Sequence, residues 1–196
     1  MSSAIDKEII PPDQFAKKCT RADEGTLVKI LENDINRAMY TTSAVTSLDL
    51  GDCYDRVSHS IASISYQAFG VPTPMTSMMR SWLQTMTFYL RMGFGKSKET
   101  YGGSLDDRIM GLGQGSGGAP PGFTGVSTLM IQACQKLGHG LEMQSAWSSM
   151  LFKLAAIIFV DDSDLLHRAL SQSTTVEDFM HIVQRAINDW GVLCMQ

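Results

Sequence analysis

Basic residues are scarce in this chain. Sixteen Lys and Arg stand against 20 Asp and Glu, a net charge of −4 at pH 7. That balance counts mildly against a free-standing nucleic-acid binder, because phosphate contacts are made by cations. Cysteine is sparse as well. Cys19, Cys53, Cys134 and Cys194 are scattered with no CxxC pair, which argues against a zinc site and for reduced thiols in an intracellular protein. The four histidines, His59, His139, His167 and His181, also lack metal-ligand spacing. The longest apolar runs fall far short of a membrane span, and Met1-Ser2-Ser3-Ala4-Ile5-Asp6 is no signal peptide. There is no internal repeat and no low-complexity segment. What remains is a chain of 196 residues, 44% hydrophobic and 18% charged, enough for one sizeable core or two small lobes.

Against that background one stretch stands out, Ala155-Ala156-Ile157-Ile158-Phe159-Val160-Asp161-Asp162. Six apolar residues read as a buried strand, and charge directly after it signals a tight hairpin with acids at its tip. Asp is common in turns, which is the bland reading. Two adjacent carboxylates nonetheless repel each other unless a cation neutralises them, and Mg²⁺ is the usual cation for hard oxygen ligands. A third acid on a neighbouring strand would favour the cation. Ala44 to Leu50 supplies one: Leu48 and Leu50 share one strand face, while Ser47 and Asp49 share the other, exposed one.

The remaining pattern predicts mixed structure. A helix is expected from Thr20 to Tyr40, with Leu27, Val28, Leu31, Ile35 and Met39 on one face and Asp23 and Glu24 in its first turn. A second runs from Ser58 to Phe69 and stops at Gly70. A third opens near Pro72 and Pro74, its Met75, Met78, Met79, Trp82 and Leu83 read as core filling. Thr87 to Phe94 reads as a strand, residues 95–103 as polar turn, and Arg108 to Leu112 as the antiparallel return. Pro120 or Pro121 opens a helix lined by Phe123, Val126, Met130, Cys134 and Leu137 and capped by Gly138. Glu142 to Lys153 reads as irregular or helical. Thr174-Thr175-Val176-Glu177 reads as a capping box for a helix burying Val176, Phe179, Met180, Val183, Ile187 and Trp190; Gly191 stops it and a strand follows. Two glycine motifs are rejected. Gly95-Lys96-Ser97 lacks the first glycine of a phosphate loop, and Gly113 to Gly118 lacks the βαβ context of a dinucleotide fold.

Three segments carry a resemblance. Leu48-Asp49-Leu50-Gly51-Asp52-Cys53-Tyr54-Asp55-Arg56-Val57 resembles motif A of reverse transcriptases, an aspartate five positions before an aromatic. Residues Gly111 to Pro120 resemble motif B, with its Gln-Gly core and later proline. Phe159-Val160-Asp161-Asp162 resembles motif C. Pro12-Asp13-Gln14-Phe15 resembles the segment before motif A in non-LTR retrotransposon and group II intron enzymes. Motif order and spacing match over about residues 9–196. The resemblance implies an α+β polymerase palm, its antiparallel sheet packed on helices, with partial fingers at residues 1–41 and 60–112 and palm at 42–59 and 113–196.

It further implies nucleotidyl transfer of dNTPs onto a DNA primer along an RNA template, with two Mg²⁺ ions, or Mn²⁺ in their place. Asp49 and Asp161 are the expected bridging ligands, assisted by Asp162 and the Leu50 carbonyl. Asp52, Tyr54, Gln114 and Gly115 are the expected nucleotide contacts, with the Tyr54 ring under the incoming sugar. Two departures are notable. The family usually has proline where Gly113 stands, and glycine and arginine where Ala16, Lys17 and Lys18 follow Gln-Phe. The basic fingers strands are expected before Met1, and the primer grip and thumb beyond Gln196, within a longer reading frame. Two other readings stand beside this one: an RNA-dependent RNA polymerase palm, disfavoured by Tyr54 and by a motif B without the expected Thr and Asn, and a non-catalytic remnant of a decayed retroelement or a binding module.

Overall fold

The computed structural model describes residues 10–17, 20–103, 110–113, 115–144, 149–169 and 171–194. The expected Gln114 contact lies outside them, as do Arg108 and Ile109 of the expected return strand, whose Met110 to Leu112 form no strand. Two compact units form: Asp52–Val126, and Ser2–Gly51 with Ser127–Gln196.

The second unit is built on a three-stranded antiparallel sheet, β1 (Ser43–Asp49), β7 (Asp162–Arg168) and β6 (Ala156–Phe159), in the order β1-β7-β6. β6 and β7 are the expected hairpin, and Ala156, Ile157 and Ile158 are buried on both faces. The free edge of β6 would offer unpaired backbone groups. The 10–17 segment closes it: Gln14 bridges Ile158, Phe15 N–H donates to Ile158 O at 2.8 Å, and Ile158 N–H donates to Asp13 O at 3.0 Å. Asp13 is wholly buried, and its Oδ2 accepts the N–H groups of Ala155 and Ala156 at 2.6 and 3.2 Å. Gln14 is buried too, donating to Ser127 Oγ at 2.7 Å.

Helix α1 (Ala22–Ala38) forms where expected but is turned about its axis, so that of the expected stripe only Val28 and Ile35 are half-buried. Gly25, Glu32 and Asn36 are buried, while Leu27, Ile30 and Leu31 are more than half exposed. The sheet explains this. By register, Ser47, Asp49, Asp162, Asp164 and Arg168 share a sheet face with Val45, Ile157, Phe159 and Leu166, so the face mixes polar and apolar side chains. A helix meeting that face stabilises it with polar side chains, so Lys29 pairs with Asp164, and Asn36 hydrogen-bonds Glu32, which Arg168 attracts. Gly25 permits the approach, because a Cβ there would meet Ile157 at 2.9 Å.

The last helix, α5 (Val176–Cys194), largely keeps its expected face, with Ile187 packed half-buried beside it. Phe179, Val183, Ala186 and Trp190 are buried, and Val176 and Met180 are exposed. Its capping box starts one residue later than expected: Thr175 Oγ1 accepts the Asp178 N–H at 3.1 Å and donates to the Asp178 carboxylate at 2.7 Å. Gly191 does not stop the helix, which runs on to Cys194 in place of the expected strand, since one glycine costs only about 1 kcal/mol in a well-packed helix. Residues 142–153, expected irregular or helical, contribute a second antiparallel pair, β4 (Leu141–Gln144) with β5 (Leu151–Leu154).

In the first unit, α2 (His59–Ala68) ends at Gly70 as expected (φ 86°). Helix α4 (Ala119–Lys136) lies against it through Gly122 and Gly125, where added Cβ atoms would meet Tyr66 Oη and Ser65 Cβ at 2.6 Å. Along helix α3 (Thr73–Thr85) the methionine stripe is not core: Met75, Met78 and Trp82 are 53–64% exposed. The hairpin also differs from expectation. β2 (Thr87–Met92) pairs with β3 (Gly95–Gly102), so the polar stretch expected as a turn is itself the return strand. Both its faces are largely exposed, so no apolar alternation was available to mark it.

Candidate active site

The site begins with register. β1 and β7 pair so that Asp49 stands directly opposite Asp162, and both are exposed. Residues directly opposite in an antiparallel pair project to the same face. Asp161 occupies the two-residue β6–β7 turn, and its carbonyl accepts the Leu50 N–H at 3.2 Å, which ties the end of β1 to the turn. Its neighbour Val160 has φ +59°, a conformation that β-branched residues rarely adopt and that costs about 1–3 kcal/mol. The three acids expected from sequence thus lie at one end of one sheet.

Their surroundings are electrostatically one-sided. Among the described residues no Lys, Arg or His comes within ion-pair distance of Asp49, Asp161 or Asp162. A cavity of about 400 Å³ adjoins them, lined by Lys29, Ser47, Asp49, Asp162 and Asp164 among others. Asp164 was not singled out from sequence, and it is fully engaged: Lys29 Nζ lies 2.6 Å from Oδ2, and Ser47 Oγ donates to Oδ1 at 2.5 Å. The donor chemistry suits a hard divalent cation, since unpaired carboxylate oxygens are its usual ligands. Among the described residues no three His, Cys, Asp or Glu side chains are gathered into a ready-made metal site. The acids form an open face rather than a closed chelate.

The other expected site residues lie in the first unit. Tyr54 is half-buried, its ring edge-on to Phe123 at 5.6 Å, and its carbonyl accepts the Leu112 N–H at 2.9 Å. Asp52 is exposed with φ +56°, and Arg56 lies 3.9 Å from its carboxylate. Gly115 is exposed with φ +89°. Gly113 has φ +69°, which proline cannot adopt, so the proline usual at this position would not fit this backbone. Gly111 is obligatory: at φ +98° an added Cβ would lie 2.5–2.8 Å from the Asp55 backbone. Buried His59 meets the Gly111 carbonyl at 2.7 Å and so steadies the glycine-rich loop. Sequence reading missed that role, because a lone histidine at a helix start carries no local signal.

The family described as reverse transcriptase (RNA-dependent DNA polymerase) matches residues 1–194, nearly the full chain. The chain belongs to the reverse transcriptase family. Its fold is similar to that of a solved apo telomerase from Candida Tropicalis truncated from its C-terminal domain, with a TM-score of 0.52 and 12% identity. That similarity covers 95% of this chain and 34% of the telomerase chain, so this family member spans about a third of its neighbour's length. No curated protein sequence matches it. The α+β palm expectation agrees with the fold. Among the described residues no helix is long and apolar enough to cross a membrane.

Proposed function

We propose that this chain carries the catalytic centre of an RNA-directed DNA polymerase of the non-LTR or group II intron kind. It adds dNTPs to a DNA primer on an RNA template. The observation that carries this reading is Asp49 opposite Asp162 at one sheet end, with Asp161 on the adjoining turn and, among the described residues, no cation within ion-pair distance of them. Asp49, Asp161 and Asp162, with the Leu50 carbonyl, are the groups that would hold divalent metal. Bound Mg²⁺ or Mn²⁺ supplies neutralisation of the attacking oxygen and of the departing pyrophosphate. The chain's own part is to hold the three acids on one edge, through the β1–β7 register and the Leu50–Asp161 bond. Tyr54 serves as the steric check on the sugar, its ring backed by Phe123. Asp52, Gly115 and Gln114 contact the nucleotide.

Primer extension on a primed RNA template tests this reading, using the chain within a reading frame that supplies basic fingers and a thumb. Asp49→Asn and Asp161→Asn are each expected to lower extension by about a hundredfold or more. Tyr54→Ala is expected to raise ribonucleotide use relative to deoxyribonucleotide, roughly tenfold per 1.4 kcal/mol of lost discrimination. The 196-residue chain alone is expected to extend poorly. Equal extension by wild type and Asp161→Asn contradicts the polymerase reading and favours a non-catalytic remnant.

A further inference from the structure

The Lys29–Asp164 pair lies in the wall of the acidic cavity, and no motif pointed to it. Asp164 follows Asp162 by two residues on β7, and its register partner Ser47 precedes Asp49 by two on β1. Side chains two apart on a strand share a face at a spacing of about 7 Å. Asp164 is therefore the next carboxylate inward from the Asp49–Asp162 pair, on the same face. It differs from them in having both oxygens engaged, by Lys29 at 2.6 Å and Ser47 at 2.5 Å. Its side chain is 14% exposed and that of Lys29 33%. Asp49, Asp162 and Asp164 line the cavity with one ammonium, and the ammonium is spent on the one acid that lies inward. The pair is not required merely to hold α1, which Gly25 and Val28 already fix against Phe15 and Ile157.

We propose that Lys29 is a positioning residue: by neutralising Asp164 it withdraws that carboxylate from the acidic face and limits which acids a divalent cation meets. The proposal rests on the reading of Asp49, Asp161 and Asp162 as metal ligands. Its signature is a split in sign. Lys29→Met exposes a fourth free carboxylate to the cation, whereas Asp164→Asn leaves an unpaired ammonium beside it. The two halves of one ion pair then push metal affinity in opposite directions.

Mn²⁺ titration of the 196-residue chain, followed through the electron spin resonance signal of free Mn²⁺, reads this directly. Lys29→Met is expected to tighten binding and Asp164→Asn to loosen it, each by about three- to tenfold at low salt. The double variant returns near wild type, and Lys29→Arg keeps wild-type affinity. A bridge that only fastens α1 moves both single variants the same way, or neither, and that result overturns the proposal. Asp49→Asn separates the two levels: if it leaves Mn²⁺ binding unchanged, the metal-site reading itself fails. If Asp49→Asn loosens binding while Lys29→Met and Asp164→Asn show no split, only the Lys29 proposal fails. Thermal melts identify any variant that does not fold. Should Lys29→Met be one, Asp164→Asn decides alone: loosened binding in a folded protein supports the proposal, and unchanged or tightened binding overturns it.

Discussion

Asp13 shows how one buried side chain holds the acidic hairpin in place. Its carboxylate accepts backbone N–H groups from Ala155 and Ala156 at the entrance to β6, and Gln135 approaches both its oxygens at 3.3 Å. Burial raises its pKa above the ordinary carboxylate value, and the hydrogen bonds offset this only in part. The folded chain therefore holds a proton at Asp13 over a pH window in which the unfolded chain has lost it. Stability from this group is fully present below the unfolded value and declines as pH rises through the folded one. Asp13→Asn is expected to remove that decline in pH-dependent urea melts while keeping an acceptor for both N–H groups. Asp13→Ala leaves them unpaired and is expected to cost about 1–3 kcal/mol at every pH. Equal melts for Asn and Ala would show that the hydrogen bonds do not matter. In the sequence, Asp13 was visible only through resemblance; nothing local distinguishes a turn aspartate from one that closes a sheet edge. Asp49, Asp161 and Asp162 were more legible, because strand alternation and an apolar run ending in acids fix both face and position.

At the scale of elements, sequence pattern was a good guide to helices and an uneven one to faces: α4 buries Phe123, Met130 and Cys134 and α5 buries Phe179, Val183 and Trp190 as expected, while α1 is turned. Helix α1 was found within two residues at each end, yet its buried stripe is Gly25, Glu32 and Asn36 rather than the leucine stripe. Amphipathic reading assumes an apolar sheet beneath the helix, whereas this sheet face mixes Ser47, Asp164 and Arg168 with Ile157, Phe159 and Leu166. Leu31→Lys is accordingly expected to change stability by less than about 0.5 kcal/mol, and Glu32→Ala to destabilise by about 1–3 kcal/mol by stranding the buried Asn36 amide. Chemical denaturation of the two variants checks this, and the reverse ranking would restore the leucine-in orientation. Strands β3, β4 and β5 were missed for a related reason. They are short or largely exposed, so neither alternation nor an apolar run announces them. The β6–β7 hairpin was legible because its β6 strand is buried on both faces.

For the molecule as a whole, the motifs in order implied a reverse transcriptase palm, and family membership and the telomerase-like fold agree with that. Net charge gave the opposite hint. With −4 overall and an acidic sheet end, the chain offers little of the cationic surface that nucleic acid needs. The two facts are compatible if the acids serve cations rather than phosphates. The central claim is therefore that Asp49, Asp161 and Asp162 form a divalent-cation site. Crystals grown with Mn²⁺ and measured at a wavelength where manganese scatters anomalously test it most directly. The account predicts anomalous density against these three carboxylates, lost in Asp49→Asn. Density elsewhere on the chain, or a site that persists in Asp49→Asn, would contradict it.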